Sequence, residues 1–574
     1  MSAPRSGLRP ARPPGGPREL GAARRSLESS FARDQDRRWF RWWAAGLLVL
    51  CLAWLGAAPL FDVDEGAFSE ATREMLASGD FGHTTLNGEP RFDKPILVYW
   101  FQAASVAVFG LHEWSLRLPS ALAMWVWCLA TALFVWPRWG RDAALAAGTL
   151  LATSLGVVLI GRAATADALL NLWLALAAFD LWRHLDSNER TPLRRAAVWI
   201  GLGILTKGPV AVLVPGAALV CWLMTSKQWR RLPRLLSDGR AWALLVGIAL
   251  PWYAYALHRH GMAFVEGFFI KYNLSRYGGT LEGHGGSVGY YLVVMPLLLM
   301  PWTPLLASVL RQARATWAEP AGRYLLGWAG FVLVFFSLSG TKLPHYALYG
   351  LTPLAILCAV QLTRIGRSMA WAQGVSALVM LALTAASVWW APALAAKGGD
   401  PLYLRLLAAP MPGSEAALAV FMTLGTLAVA ALLLPALWAL PWMGRSAKAA
   451  AGAVLVTLML VAVVLPWWAD RLQGPLKAMA LKTRALDEER PVPAVYVQWR
   501  MHQPSLAVYQ QRALVRRSPA VGELAWTRLD RLAPPQGDLQ WQVVEQRNGY
   551  ALVRWIGPGA ADDLPEPKPA KPSR

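Results

Sequence analysis

The sequence predicts a polytopic α-helical membrane protein of about thirteen crossings, carrying a small α/β domain outside the membrane at its C-terminal end. Three observations carry that prediction. The 574 residues are 55% hydrophobic and only 16% charged, with a mean hydropathy of +0.34, and apolar stretches near bilayer length recur from Trp42 to Trp468. The 31 Trp and 14 Tyr often stand at the ends of those stretches, as in Trp42-Trp43 and Trp467-Trp468, where amphipathic rings favour the membrane–water boundary. The net charge of +21 sits mainly in short connecting loops and the N-terminal segment, which points to topology and anionic lipid rather than nucleic acid.

Residues 1–41 hold ten arginines against four acids among several Pro and Gly, and are expected as a disordered cytoplasmic tail. The leader is long and basic and many spans follow, so the first apolar stretch, 42–60, is expected as an uncleaved helix. Basic loops at 137–142, 183–195, 226–240, 311–323, 363–367 and 443–448 are assigned to the cytoplasm. Counting 95–110 as a crossing would export the first of them, so that short aromatic stretch is expected as a helix lying at the outer interface. The membrane domain then runs over 42–468, with 61–118 as its first outer loop. Beyond it, 469–556 changes character: "AVYVQW", "WQVVEQ" and "YALVRW" read as strands and "QPSLAVYQQ" as a helix, followed by a Pro-rich disordered tail at 557–574. The four cysteines each lie inside an apolar stretch without a CxxC partner, which excludes a disulfide framework and a cysteine metal site.

On this threading the outer face collects the unusual polar residues. "FDVDEGAFSE" places Asp62, Asp64 and Glu65 within four positions; acids there either start a helix or carry chemistry. "RFDKPILVYW" sets Asp93 and Lys94 before a proline, where the lysine either snorkels to headgroups or clamps a phosphate. "GRAATAD" puts Arg162 and Asp167 in a turn at membrane depth, where an unpaired charge costs roughly 2.5–3.5 kcal/mol; an Arg162–Asp167 pair is the structural alternative to a functional cavity. "TKGP", with Lys207, breaks a helix at Gly208-Pro209 and frees backbone carbonyls that need a wet or protein-lined site. The glycine-rich 268–291 carries Lys271, Arg276, Glu282 and His284; the last two are weak candidates for a divalent metal. "SGTKLPHYAL" gathers Lys342, His345 and Tyr346, whose charge and donors suit a phosphate.

These motifs, in this order over residues 61 to about 350, resemble the phospholipid-carrier-dependent glycosyltransferases of the aminoarabinose-transferase and protein O-mannosyltransferase superfamily, which have the GT-C fold. The resemblance implies inverting transfer of a sugar (aminoarabinose, hexosamine or hexose) from undecaprenyl phosphate to a periplasmic acceptor, lipid A or another envelope glycolipid, or a protein hydroxyl. It implies a bacterial inner-membrane protein with a cytoplasmic N-terminus and a periplasmic C-terminal domain; no required cofactor is expected, and a divalent metal stays an open alternative. It assigns Asp64 as the principal catalytic carboxylate, Asp167 as a second acid and Glu65 as their support. Lys94, Arg276, Lys342 and Tyr346 would hold the carrier phosphate beside His345, with Asp93, Arg162 and Lys207 supporting. Asp62, nearer the end of the span, is expected as a solvated cap. Two departures bear on sugar and acceptor: Asp93-Lys94-Pro95-Ile96 stands where lipid A transferases usually show Glu-Lys-Pro-Pro, and Tyr272 stands where many relatives place His. A transporter or flippase would also put charges and broken helices in a membrane cavity, but the sequence has no inverted repeat.

Overall fold

The computed structural model describes residues 34–279, 285–364, 366–395, 400–408, 420, 444–489, 494–532 and 540–557. It is a helical bundle with a mixed sheet near the C-terminal end. The helices that frame the site are α1 (Asp34–Leu52), α2 (Asp64–Ser78), α3 (Leu97–Phe109), α4 (Glu113–Thr153), α5 (Asp167–Ser187), α6 (Arg190–Lys207), α7 (Val210–Thr225), α8 (Gly239–His260), α9 (Pro320–Leu338), α10 (Leu351–Leu362), α11 (Leu465–Glu488) and α12 (Ser505–Gln510).

Among the described residues, five helices are long and apolar enough to cross a membrane, or six if the pair Tyr290–Leu299 and Pro304–Arg311, bent by 115°, counts as one broken span. The 13-residue α3 is too short to cross upright, since at 1.5 Å per residue it spans about 20 Å. α4 holds a break of its own: Gly140, at φ 84°, interrupts the helical backbone within 41 residues. One expectation is corrected at the start of the chain, where α1 begins at Asp34 and not near Trp42. The stretch "DRRWFRWW" is helical because arginine is a good helix former and the aromatic rings have a surface to meet, Phe40 packing on Trp43 and Trp136.

The bundle core is continuous from Leu47 to Val464. α5 and α6 pack as an antiparallel hairpin, with Trp173 stacked on Trp199 at 5.8 Å, and α7, α9 and α10 close the same body. Two of the buried indoles are tied across the bundle by hydrogen bonds: Trp127 donates to Thr352 and Trp302 to Thr153.

The C-terminal sheet has five strands, β3 (Tyr496–Gln498), β4 (Val515–Arg516), β5 (Leu524–Arg528), β6 (Trp541–Arg547) and β7 (Tyr550–Trp555), in the order β4-β3-β5-β7-β6; β1 (Thr85–Leu86) and β2 (Glu89–Pro90) form a separate small hairpin. β3 runs parallel to β4 and β5, and β7 antiparallel to β5 and β6. Side-chain alternation divides two cores. Tyr496, Leu524, Trp526, Tyr550 and Leu552 face Leu60, Val106 and Leu116 of the first loop region, whereas Val497, Ala525, Ala551 and Val553 face Trp499 and Trp555 on the other side. The sheet is thus bound to the bundle through the loop that carries Asp64.

Candidate active site

An antiparallel hairpin brings the first residue of one helix to the last of the other. Asp167 opens α5 and Lys207 closes α6, and Lys207 Nζ donates to Asp167 Oδ1 at 2.6 Å across 40 residues of sequence. Each charge stands at the helix end whose dipole favours it. Gly208 ends α6 at φ 81°, and a Cβ there would lie 2.7 Å from the Phe268 ring, so backbone and packing both call for glycine. The Arg162–Asp167 pair, the structural alternative to a functional cavity, does not form. Arg162 donates instead to the carbonyls of Ala53 and Leu50 at the end of α1, at 2.7 and 2.8 Å, satisfying groups a helix terminus leaves open.

Asp64 is the first residue of α2 and is reached by solvent. It lies in the field of Asp167 and Asp93 on one hand and of Lys94 and Lys207 on the other; desolvation first, then the negative charge of Asp167, hold its carboxyl above the usual carboxylate range. Lys94 Nζ contacts Asp93 Oδ1 at 2.5 Å, and Arg91 Nη2 reaches the other oxygen at 2.9 Å. Asp93, Lys94 and Lys207 form the charged side of a cavity of about 470 Å³. The rest of its wall is largely aromatic and aliphatic: Phe269, Tyr272 and Tyr277 on one side, Phe335, Phe336 and Tyr346 on another, with Leu213 and Leu274 between. A cavity with two ammonium groups at one end and an apolar body suits a phosphate joined to a long hydrocarbon.

The remaining expected residues divide. Tyr346 and Tyr349 lie on a 3₁₀ turn (Pro344–Gly350), whose three-residue period puts them on one face; Lys207 Nζ lies 6.0 and 5.8 Å from their ring centroids. His345 stands on the same turn, its ring 4.8 Å from that of Tyr346. Lys342 is not on the cavity wall. It is buried, and its ammonium donates to the carbonyls of Phe336, Ser337 and Ser339 at the C-terminal end of α9, with 2.6 Å to Ser337; a lysine here caps a helix end. Arg276 lies in the short helix Ser275–Gly278, one residue before Tyr277 of the wall. Glu282 and His284 lie outside the described residues. Among the described residues no group of three or more His, Cys, Asp or Glu could hold a metal.

Asp62 is corrected, and Glu65 is found in a supporting place. Glu65, expected as support for the reacting acids, has both oxygens occupied: Arg117 donates to them at 2.8 and 2.8 Å, Ala164 N at 2.7 Å and Phe61 N at 2.9 Å. Asp62, expected as a solvated cap, is buried and accepts from Ser505 N at 2.9 Å and from Ser505 Oγ. Sequence reasoning missed Tyr349, whose spacing from Tyr346 was the readable signal; the 268–291 segment, singled out for its charges, contributes Phe269, Tyr272 and Leu274 to the cavity wall from a π-helix (Val265–Leu274).

With this geometry in hand, three comparisons bear on kinship. Residues 93–255, from the Lys94 motif through most of α8, match the family model described as dolichyl-phosphate-mannose-protein mannosyltransferase. A crystal structure of ArnT from Cupriavidus metallidurans bound to undecaprenyl phosphate superposes with a TM-score of 0.73 at 23% identity, covering 90% of this chain and 97% of that one. The chain shares the fold of that structure. Its curated relatives include the undecaprenyl phosphate-α-4-amino-4-deoxy-L-arabinose arabinosyl transferases of Aeromonas salmonicida, 33% identical over 368 residues (60% of this chain, 65% of that protein), and of an Enterobacter species, 30% identical over 328 residues (56% and 58%). The chain thus matches about three fifths of the length of these relatives.

Proposed function

We propose that this chain is an inverting GT-C glycosyltransferase that moves a sugar from undecaprenyl phosphate to a periplasmic acceptor, lipid A or another envelope glycolipid. The observation that carries this reading is the junction of Asp64, Asp167 and Lys207 with the Lys94 end of an aromatic cavity. The curated relatives' names supply the donor class and suggest 4-amino-4-deoxy-L-arabinose as the sugar.

In this mechanism the carrier phosphate lies against Lys94 and Arg276, with Tyr346 beside it and the polyprenyl chain along the aromatic wall. The bond between the anomeric carbon and the phosphate oxygen breaks, and the electron pair leaves on the phosphate, where the cations stabilise it. The acceptor oxygen bonds to the opposite face of the anomeric carbon, which inverts it. If the acceptor is a hydroxyl, Asp64 takes its proton; a phosphate acceptor has none to give, and Asp64 then offsets the positive charge developing on the sugar. Asp167 holds Lys207 at the mouth. The threading that accompanies this reading has about thirteen crossings, a cytoplasmic N-terminus, and the Asp64 loop and C-terminal sheet on the periplasmic side.

The test is transfer by the purified full chain in nanodiscs from radiolabelled undecaprenyl-phosphate sugar to lipid A. Label in lipid A with matching release of undecaprenyl phosphate is expected. Label that crosses a vesicle membrane unchanged, with none transferred, would overturn the proposal in favour of a transporter.

A further inference from the structure

Asp64 stands between two carboxylates that both turn away from it. A helix start is most cheaply satisfied by its own neighbours, through a Ser, Asp or Asn at the cap. Here the cap position is Val63, with no side-chain cap bond. Asp62 instead reaches Ser505, 443 residues on, through both the backbone N–H and the hydroxyl. Glu65 reaches Arg117, 52 residues on, and the amide of Ala164, 99 residues on, three positions before Asp167. Arg117 uses its other N–H groups on the carbonyls of Leu55, Ala58 and Pro59, so the segment entering "FDVDEG" is fixed as well. Leu60 N donates to Tyr509 Oη at 2.8 Å, a second tie to α12. Gly66 completes the arrangement: a Cβ there would lie 2.0 Å from Asp62 Oδ1 and 2.5 Å from Ser505 N, so the glycine leaves room for the domain to dock.

We propose that Asp62 and Glu65 are positioning residues, forming a two-armed clamp through which the C-terminal domain and the Ala164 loop together set Asp64 against Asp167. The proposal rests on Asp64 acting in the transfer reaction proposed above. It makes the C-terminal domain part of the active-site machinery, although that domain's sheet gives no residue to the cavity wall among the described residues. Asp62 ties Asp64 to the domain. Glu65 ties it to the loop that carries Asp167.

The experiment compares the full-length wild type with Asp62→Ala, Asp62→Asn, Ser505→Ala and the double variant Asp62→Ala/Ser505→Ala. In Asp62→Ala, kcat for transfer from undecaprenyl-phosphate aminoarabinose to lipid A is expected to fall roughly 10- to 100-fold, the scale of a misplaced reacting group. KM for the donor and binding of undecaprenyl phosphate alone should stay unchanged. Asp62→Asn should recover most of kcat, because its amide oxygen still accepts the Ser505 N–H. The double variant should be no slower than Asp62→Ala, since both changes remove one contact. Hydrogen exchange over 505–510 should rise in Asp62→Ala, and an Asp64→Cys thiol should be labelled at a rate that shifts severalfold when Asp62→Ala is added. Wild-type inactivity would sink the functional reading while labelling and exchange still judge the clamp. An Asp64→Cys labelling rate unmoved by Asp62→Ala, full kcat in Asp62→Ala, or a loss falling equally on kcat and carrier binding would overturn it.

Discussion

α5 carries two buried aspartates, one at each end of its working length, and they are served very differently. Asp180, 13 residues after Asp167, is enclosed: Arg183, Arg195 and the Trp199 indole all donate to it at 2.7 to 3.1 Å. Asp167 is bonded to Lys207, and the other side of that lysine faces the cavity. The two sites are about 20 Å apart at 1.5 Å per residue. A buried acid that is fully bonded is a structural strut; one whose partner still faces a cavity retains the capacity to respond to a ligand. The same contrast recurs between the adjacent Asp64 and Glu65, where the saturated acid is the strut.

Breaking that contrast should give the following effects, from the largest. Asp64→Asn is expected to lower transfer by roughly 10²- to 10³-fold, the scale of removing one charge-stabilising group, while Asp180→Asn should leave the rate within a few-fold and lower the thermal midpoint instead; steady-state kinetics beside a melting curve separate the two. Lys207→Met leaves Asp167 buried and uncompensated, an expected destabilisation of about 3–5 kcal/mol that Lys207→Met/Asp167→Asn should largely relieve, checked by denaturation in detergent. Lys94→Ala should weaken binding of undecaprenyl phosphate by about tenfold, corresponding to about 1.4 kcal/mol, by titration; unchanged affinity would return Lys94 to a membrane anchor. Because desolvation and Asp167 raise Asp64, the acid limb of the kcat profile should lie above the pH of an ordinary carboxylate, and Asp167→Asn should move that limb down, since it removes a repelling charge. The smallest effect concerns Asp62, raised to about 7 by burial. A carboxyl raised on folding favours the protonated native state, so its contribution to stability is complete below about pH 4 and lost as pH rises through about 7; Asp62→Asn should flatten melting curves across that window.

How much of this was legible in the sequence differs from residue to residue. The helical class, the short α3, and the acid and lysine motifs were readable because hydropathy, length and charge are local properties. α2 starts at Asp64, among the acids that could open a helix. The expected site residues Asp64, Asp167, Lys94, Lys207, His345 and Tyr346 come together at one end of the bundle. Roles fared less well where they depended on a partner. Arg162 and Asp167 are neighbours in sequence and a pair between them was the structural alternative, yet the α5–α6 hairpin offers Asp167 the Lys207 ammonium instead. Lys342 was expected at a phosphate because lysine is cationic, yet three helix-end carbonyls lie nearer.

By itself, then, the sequence determined that this is a many-helix membrane chain whose acids and lysines recur in short motifs, because those properties are set by residues within a turn or two of each other. Only the tertiary structure decided which carboxylate is free to act. Asp62, Asp64 and Glu65 are chemically alike and adjacent. What separates them is that Ser505 and Arg117, brought from 443 and 52 residues away, saturate two of the three and leave Asp64 facing Asp167 and the cavity cations.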